Sequence, residues 1–295
     1  MLKGIVISNV SDLYHIETEA GSVYNCNARG KFKSNEISPV TGDKVEIEII
    51  DDEKKTGIIN KIEDRTNYIK RPKMANLSQM ILVVSAKLPK PDLELLDKQL
   101  VYAEYLNIHP IICFNKVDLV DDELIENMAN VYRKIGYTVI KTNAKEEVGI
   151  DTLKQMLKGH ITAFSGNSGV GKSTLINGIF GKDKAQEGLV SHKNKRGKNT
   201  TTQVYLYKIE DNTYIADTPG FSTLDISEIE SEYLCHYFVE FVPYIEKCEF
   251  VGCSHVKEQN CGIKMGLEAG KIDKGRYDRY CKIYQDLKEK EERKW

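Results

Sequence analysis

Gly166-Asn167-Ser168-Gly169-Val170-Gly171-Lys172-Ser173 is the stretch whose reading decides the fold. It fits G-x-x-x-x-G-K-[ST] at every position, the pattern of a loop that cradles phosphates. Its glycines let successive backbone N–H groups turn inward around phosphate oxygens. Lys172 reaches the β- and γ-phosphates, and the Ser173 hydroxyl suits Mg²⁺. The apolar run 161–164 precedes the loop, and a helical stretch, 174–180, follows it. A helix starting near Lys172 points its positive end at the same anion. The pattern implies a nucleoside triphosphate held by Gly166, Asn167, Ser168, Gly169, Val170, Gly171, Lys172, Ser173 and Thr174, and leaves the base open.

Upstream, strand and helix patterns alternate. The continuous apolar run 79–85 (QMILVVS) reads as a buried strand, and 92–107 has helical spacing through Leu93, Leu96, Leu100 and Tyr105. A second buried strand at 110–114 precedes a helix over about 121–135. A third strand at 137–141 and a short helix at 150–157 follow. This alternation predicts a parallel sheet with helices on both faces.

Asn115-Lys116-Val117-Asp118 sits at the C-terminal end of the second strand, where ligands of such sheets bind. The Asp118 carboxylate there accepts two hydrogen bonds, from guanine N1–H and the exocyclic amine. Adenine offers an acceptor at N1 and lacks the amine, so a buried carboxylate left unpaired penalises it. Asn115 faces the opposite edge of the base, and the Lys116 stem covers the ring. Thr142-Asn143-Ala144, after the next strand, is either the place where a backbone N–H meets guanine O6 or a plain loop. Asp217-Thr218-Pro219-Gly220 ends the strand 214–216. The Asp217 carboxylate suits Mg²⁺ through water, and the Gly220 amide suits the γ-phosphate. Thr200-Thr201-Thr202 supplies a hydroxyl for the metal, and either Thr200 or Thr201 is the donor.

Residues 1–68 read as short alternating strands around Ile5, Ile7 and Val10, Leu13, Tyr14 and Ile16, Val45, Ile47 and Ile49, and Ile58, Ile59 and Ile62. So many short strands in so little chain point to a small closed barrel, with an OB-fold as the natural candidate. From 225 to 295 the pattern is charged and helical around a Cys/His cluster, and Tyr277, Tyr280, Ile283, Tyr284 and Leu287 form a packing stripe. The expected architecture is therefore multidomain. A barrel over 1–68 precedes an α/β domain over 69–224 and a mainly helical domain over 225–295.

The nucleotide motifs are those of Ras-like GTPases in rotated order: the base-reading elements come first, then phosphate loop, first switch and second switch. In this order the second switch, residues 217–221, runs straight into the C-terminal domain, which links nucleotide state to that domain. Barrel, rotated GTPase domain and C-terminal cluster together resemble the RsgA (YjeQ) family of circularly permuted GTPases that depend on the small ribosomal subunit. That family's C-terminal pattern is Cys, four residues, Cys, one residue, His, five residues, Cys, and Cys248, Cys253, His255 and Cys261 reproduce it. Three thiolates and an imidazole also make a closed tetrahedral set by their own chemistry, so a zinc held there is structural. Cys26, Cys113, Cys235 and Cys281 lack such spacing and read as ordinary thiols. The metal is expected to staple a helical domain with little core of its own.

Ras-like enzymes place a Gln after the second-switch Gly to orient the attacking water, and this chain has Phe221 there. The family usually carries a His just before its first-switch Thr pair, and this chain has Asn199. Slow intrinsic hydrolysis that a partner stimulates is the expectation.

Net charge is −2, which does not announce a nucleic-acid binder. Distribution says more: the segment 182–198 holds six Lys or Arg against Asp183 and Glu187, leaving +4. That charge suits RNA phosphates, and so does a barrel bearing Arg29-Gly30-Lys31-Phe32-Lys33. The resemblance implies the small ribosomal subunit and its rRNA as partner, GTP/GDP, Mg²⁺ and one structural Zn²⁺ as ligands, and a GTPase acting as a checkpoint in late small-subunit maturation. The alternative is a guanine-nucleotide-sensing RNA-binding module with little turnover. The first residues lack a signal peptide's pattern and no apolar run is long enough for a bilayer, so a cytoplasmic monomer without membrane contact is expected.

Overall fold

Alternation of inward and outward side chains builds the first part of the chain. In a computed structural model, which describes residues 1–10, 12–30, 32, 38–181, 204–217 and 225–293, five strands close into a barrel. They are β1 (Leu2–Val10), β2 (Leu13–Thr18), β3 (Val23–Ala28), β4 (Lys44–Asp51) and β5 (Thr56–Ile62). β1 pairs antiparallel with β2 and β4, β2 with β3, and β4 with β5, while β3 and β5 run parallel and complete the circuit. Val6, Tyr14, Ile16, Tyr24, Cys26, Val45, Ile47 and Ile59 fill it. Two details differ from the sequence expectation. β3 belongs to the barrel, and Val6 points inward while Ile5 and Ile7 are half-buried. A register shift between Val6 and Ser8 interrupts the pairing of β1 with β2.

A hairpin of β6 (Tyr68–Lys70) and β7 (Lys73–Ala75) leads to β8 (Gln79–Ser85). Then come α1 (Leu93–Tyr105), β9 (His109–Asn115), α2 (Asp122–Ile135), β10 (Thr138–Thr142) and α3 (Ile150–Leu157). β11 (Ile161–Ser165), α4 (Lys172–Phe180), β12 (Tyr205–Glu210) and β13 (Thr213–Asp217) follow. β9 and β10 are parallel, as are β11 and β13, in line with strand–helix alternation. β12 is antiparallel to β13, a hairpin the sequence pattern did not indicate.

The chain divides into two compact units. The first comprises Met1–Ile81, Asn143–Ser165 and Gly171–Ser222. Within it the barrel joins the α/β strands through β12, where Ser8 lies opposite Tyr205 and the Thr41 hydroxyl donates to the Val204 carbonyl at 3.1 Å. Glu17, almost fully buried, pairs with Lys208 at 2.8 Å and accepts from the Tyr214 hydroxyl at 3.2 Å.

The second unit comprises Leu82–Thr142, Gly166–Val170 and Thr223–Trp295. Its C-terminal part holds a 3₁₀ turn (Ser231–Tyr237), α5 (Val242–Ile245), α6 (Gly262–Glu268) and α7 (Lys274–Glu292). The expectation of little core here is not met. Leu234, Phe238, Phe241, Ile263, Ile272, Tyr280, Ile283 and Leu287 are buried together, with Val101 of α1 among them. Each such side chain contributes roughly 1.5–3 kcal/mol by leaving water. The sequence stripe on α7 is thus a packing face, with Tyr277 and Tyr284 partly buried at its margin.

A buried charge cluster crosses the same interface. The Asp97 carboxylate, on α1 and fully buried, accepts from Arg276 Nη1 at 2.6 Å, from Arg279 Nε, and from the Tyr132 hydroxyl at 3.1 Å. Arg276 also donates to both Glu240 oxygens, at 2.7 and 2.9 Å. Burial works against the Arg276 charge, but Asp97 and Glu240 outweigh it and raise its pKa further. No described helix is long and apolar enough to cross a membrane.

Truncating Asp97 leaves the buried Arg276 short of one counter-charge. Asp97→Ala is expected to lower stability by about 3 kcal/mol, read as the shift of the urea midpoint. A shift below about 0.5 kcal/mol, the range of an ordinary surface change, would mean the cluster holds nothing.

Candidate nucleotide site and metal centre

β9 ends by burying Asn115 and then turning sharply. Asn115 Nδ2 donates to the Val170 carbonyl at 2.8 Å, and Asn115 Oδ1 accepts from the Thr142 hydroxyl at 3.0 Å. Lys116 adopts the left-handed region with φ of 62°, which starts the 3₁₀ turn Val117–Leu119. From there its Nζ donates to the carbonyls of Leu88 and Gly169, both at 2.6 Å. Asp118, one residue into the turn, is exposed.

The phosphate-loop segment is held against this turn. Gly166 has φ of 140°, and a Cβ there would lie 2.2 Å from the Val83 carbonyl oxygen, so only glycine fits. Val170 is buried and anchors the segment's far end, while Ser168 and Gly169 are exposed. Asn167 Nδ2 donates to Asp92 Oδ2 at 3.0 Å, a contact no motif announces.

In the first unit, Gly171 caps α4 with φ of 103°, and Leu175 and Ile179 bury that helix. Lys172 is its first residue, and burial lowers its pKa from the ordinary lysine value. Ser173 and Thr174 are exposed on the first turn, where backbone N–H groups have no acceptor within the helix. Asn143 closes a small loop: its N–H donates to Val148 O at 3.1 Å, and its side-chain oxygen accepts from the Lys145 N–H at 3.2 Å. Of the two residues expected to offer a backbone donor to guanine, Asn143 thus spends its own on the protein, and Ala144 follows it in the same loop. Asp217 ends β13 opposite Tyr205. Thr200, Thr201, Thr202, Gly220, Phe221, Asn199 and the basic segment 182–198 lie outside the described residues.

Cys248, Cys253, His255 and Cys261 converge, with one ligand atom from each lying within 4.8 Å of the others. A tetrahedral zinc with bonds of about 2.3 Å to sulfur and about 2.0 Å to nitrogen sets sulfurs about 3.8 Å apart, and sulfur about 3.5 Å from nitrogen. Cys248 and Cys261 sulfurs are 4.0 Å apart, and His255 Nδ1 is 3.4 Å from each. The donor set and its spacing therefore fit zinc. Gly252 and His255, with φ of 75° and 61°, bend the chain so that Cys253 and His255 both face inward. Tyr277 and Tyr280 of α7 fix this bend by donating to the carbonyls of His255 at 2.8 Å and Ser254 at 2.9 Å.

Known proteins share this architecture along the whole chain. The RsgA GTPase pattern matches residues 62–227, and the RsgA N-terminal domain matches 3–59. The small ribosomal subunit biogenesis GTPase RsgA of Ruminiclostridium cellulolyticum is 42% identical over 290 residues, covering 98% of this chain and 95% of the relative. Its namesake in Clostridium kluyveri is 42% identical over 289 residues, covering 98% and 99%. This chain belongs to the RsgA GTPase family. The crystal structure of YjeQ from Thermotoga maritima superposes with a TM-score of 0.85 at 37% identity, covering 97% of this chain and 98% of that one. That of YloQ, a circularly permuted GTPase, gives 0.83 at 33% identity, covering 98% and 96%.

As an RsgA GTPase the protein is a GTP hydrolase that uses guanine nucleotide and Mg²⁺, and the rotated motif order is the family's permuted fold. Sequence reasoning missed Asp92, which accepts from Asn167, and the tyrosines that hold the bend at the Cys/His cluster. Tyr277 and Tyr280 were visible only as members of an apolar stripe, since nothing in the spacing says where a hydroxyl points.

The metal centre has a measurable proton balance. Burial pushes the Cys253 thiol up to about 12, with Cys261 and Cys248 alongside adding to it, and burial also raises Cys261. Burial lowers the His255 pKa, which keeps its imidazole neutral. Thiols raised this way stay protonated at pH 7 until a cation displaces the proton, so affinity falls as pH falls. Adding zinc to chelator-stripped protein in weak buffer at pH 7 is expected to release about three protons per ion, read by an indicator dye. Release near zero would remove the cysteines from the ligand set.

Proposed function

We propose that this RsgA GTPase binds the small ribosomal subunit, contacts its rRNA, and hydrolyses GTP as a checkpoint late in that subunit's maturation. The observation that carries the nucleotide part is the grip of Asn115 on Val170 and of Lys116 on Gly169. These contacts between residues 115–116 and 169–170 support a base-reading turn beside a phosphate loop. The ribosomal part rests on relatives named for small-subunit biogenesis that align from end to end. The barrel of residues 1–68 is the proposed RNA-binding part. Residues 69–224 form the GTPase part, and residues 225–295 the zinc-bearing part. The protein acts as a cytoplasmic monomer in this reading.

Within the site, Asp118 pairs with guanine N1–H and its amine, and the Lys116 stem covers the ring. Asn115 holds the loop as well as facing the base, and a backbone donor at Asn143 or Ala144 meets O6. The segment from Gly166 to Thr174 surrounds the phosphates with backbone N–H groups, and Lys172 neutralises the β- and γ-phosphates. Ser173, Asp217 and a first-switch hydroxyl, Thr200 or Thr201, hold Mg²⁺, and the Gly220 amide meets the γ-phosphate. Bound Mg²⁺ spreads the charge that develops on the transferred phosphoryl group. Cys248, Cys253, His255 and Cys261 hold the structural zinc, which takes no part in hydrolysis. Phe221 has no group to orient water, so the subunit is expected to supply the missing element.

Two measurements test this reading. GTP turnover should rise at least about tenfold with purified small subunits, by analogy with GTPases completed in trans, and not with large ones. Lys172→Ala should abolish it. Equal rates with and without subunits would reject the checkpoint role. Asp118→Asn replaces an acceptor with an amide donor, which suits the carbonyl of xanthine at C2. It is expected to weaken GDP binding about a hundredfold or more while gaining xanthine nucleotide, since unmatched polar groups penalise guanine. Unchanged GDP affinity would remove Asp118 from the site.

A further inference from the structure

We propose that Asp92 is a positioning residue for the phosphate loop, joining Asn167 to helix α1 and, through that helix, to α7 of the zinc-bearing region. The inference rests on Gly166–Ser173 being the phosphate loop, as proposed above.

Asp92 uses its two carboxylate oxygens for two tasks. Oδ1 accepts from the Leu95 N–H at 2.9 Å and caps α1, and Oδ2 accepts from Asn167 Nδ2 at 3.0 Å. A carboxylate only accepts, so the Asn167 amide must turn its nitrogen toward α1, which fixes that side chain. The seat is tight. The space among Val83, Asp92, Leu95, Gly166, Asn167 and Val170 measures about 10 Å³, no more than one water requires. Asn115 and Lys116 hold the other end of the same segment, at Val170 and Gly169. Asp92 therefore supplies an independent hold beside Gly166, where the loop begins.

The helix that carries Asp92 is itself tied to α7. Asp97 bonds Arg276 and Arg279, Glu94 pairs with Lys282 at 2.6 Å, and Lys98 pairs with Asp286 at 3.2 Å. A 13-residue helix is stiff on this scale, so a change in the seating of α7 moves the residue that seats the loop. A plain helix cap, by contrast, would affect stability and leave nucleotide affinity alone.

Asp92→Ser separates the two tasks, because serine caps a helix as well as aspartate but is too short to reach Asn167. With a fluorescent GDP analogue and Mg²⁺ as probe, Asp92→Ser is expected to raise the dissociation constant about fourfold, the scale of one partly exposed hydrogen bond. The thermal midpoint should stay put. Asn167→Ala should give the same loss, and the double variant should be no worse than either alone. Arg279→Met, which keeps the packing of the stem, should cost about twofold in the wild-type chain and nothing beyond that of Asp92→Ser in its presence. An unchanged dissociation constant for Asp92→Ser, additive losses with Asn167→Ala, or an Arg279→Met effect that ignores Asp92 would each overturn the proposal. Lys172→Ala and Asp118→Asn serve as controls. If neither weakens the probe, the nucleotide-site reading has failed; if both do while Asp92→Ser does not, only the positioning role has.

Discussion

The hydrogen bond from Asn115 Nδ2 to the Val170 carbonyl joins two stretches 55 residues apart, and much of the nucleotide half depends on it. Asn115 is buried, so each of its polar atoms needs a partner. Thr142 supplies the donor to its side-chain oxygen, and its backbone carbonyl accepts from the Ala86 N–H at 2.8 Å. Lys116 reaches Gly169 from a left-handed conformation. These bonds specify distances between groups and are indifferent to which group comes first in the chain. A rotated motif order is therefore compatible with the site: the loop needs the turn beside it, not before or after it.

Rotation does change what is attached to what. With the base-reading elements ahead of the phosphate loop, residues 82–142 share a compact unit with the C-terminal region. The contact between them is partly apolar and partly ionic, and the ionic part is costly to bury. Replacing such a cluster with well-packed apolar residues often leaves stability unchanged or higher. What the cluster supplies is directional: Asp97 accepts from three donors on two helices, and Arg276 reaches Asp97 and Glu240 at once. A sliding of α7 along α1 breaks several of these bonds together, whereas an apolar face would accommodate it.

Legibility in the sequence followed locality. The helices at 93–105 and 122–135 and the strands at 109–115 and 161–165 were readable because their spacing or apolar runs are continuous. Contiguous or closely spaced motifs, such as residues 166–173, Asn115–Asp118 and the Cys/His set, could be picked out because their residues lie close together along the chain. β3 escaped because Val23-Tyr24-Asn25-Cys26-Asn27 alternates with only Tyr24 and Cys26 buried, and asparagine is a poor strand former. β12 escaped for a similar reason: of Tyr205-Leu206-Tyr207-Lys208 only Leu206 is buried. Val6 rather than Ile5 or Ile7 faces inward because the register sets Val6 opposite Ile16, a pairing that the apolar residues of β1 do not reveal by themselves. Asp92 with Asn167, 75 residues apart, and Asp97 with Arg276, 179 apart, are pairings of ordinary surface-type residues. The unexpected size of the C-terminal core has a related origin: Leu234, Phe238 and Phe241 do follow helical spacing, but the residues they pack with, Ile263, Ile272 and Tyr280, lie far along the chain.

The zinc ligands and the charge cluster fix different things, and α7 connects them. The metal holds a short bend whose left-handed residues, Gly252 and His255, have little regular structure to stabilise them. The charge cluster fixes the helix axis. Tyr277 and Tyr280, about one turn apart on α7 and each next in sequence to an arginine of the charge cluster, donate to the carbonyls of His255 and Ser254, so the bend is hung from the helix by its backbone. Tyr280 is the closer coupling of the two. Its ring also packs edge-on against Phe238 and Phe241 at 5.2 and 4.9 Å, placing the same side chain in the core and at the metal bend. Metal loss would thus remove one constraint on the bend and leave the two tyrosine hydrogen bonds, the rings and the ion pairs. A helix held by three kinds of interaction keeps its seat when one is withdrawn, and its position on α1 is set by the charges rather than by the metal.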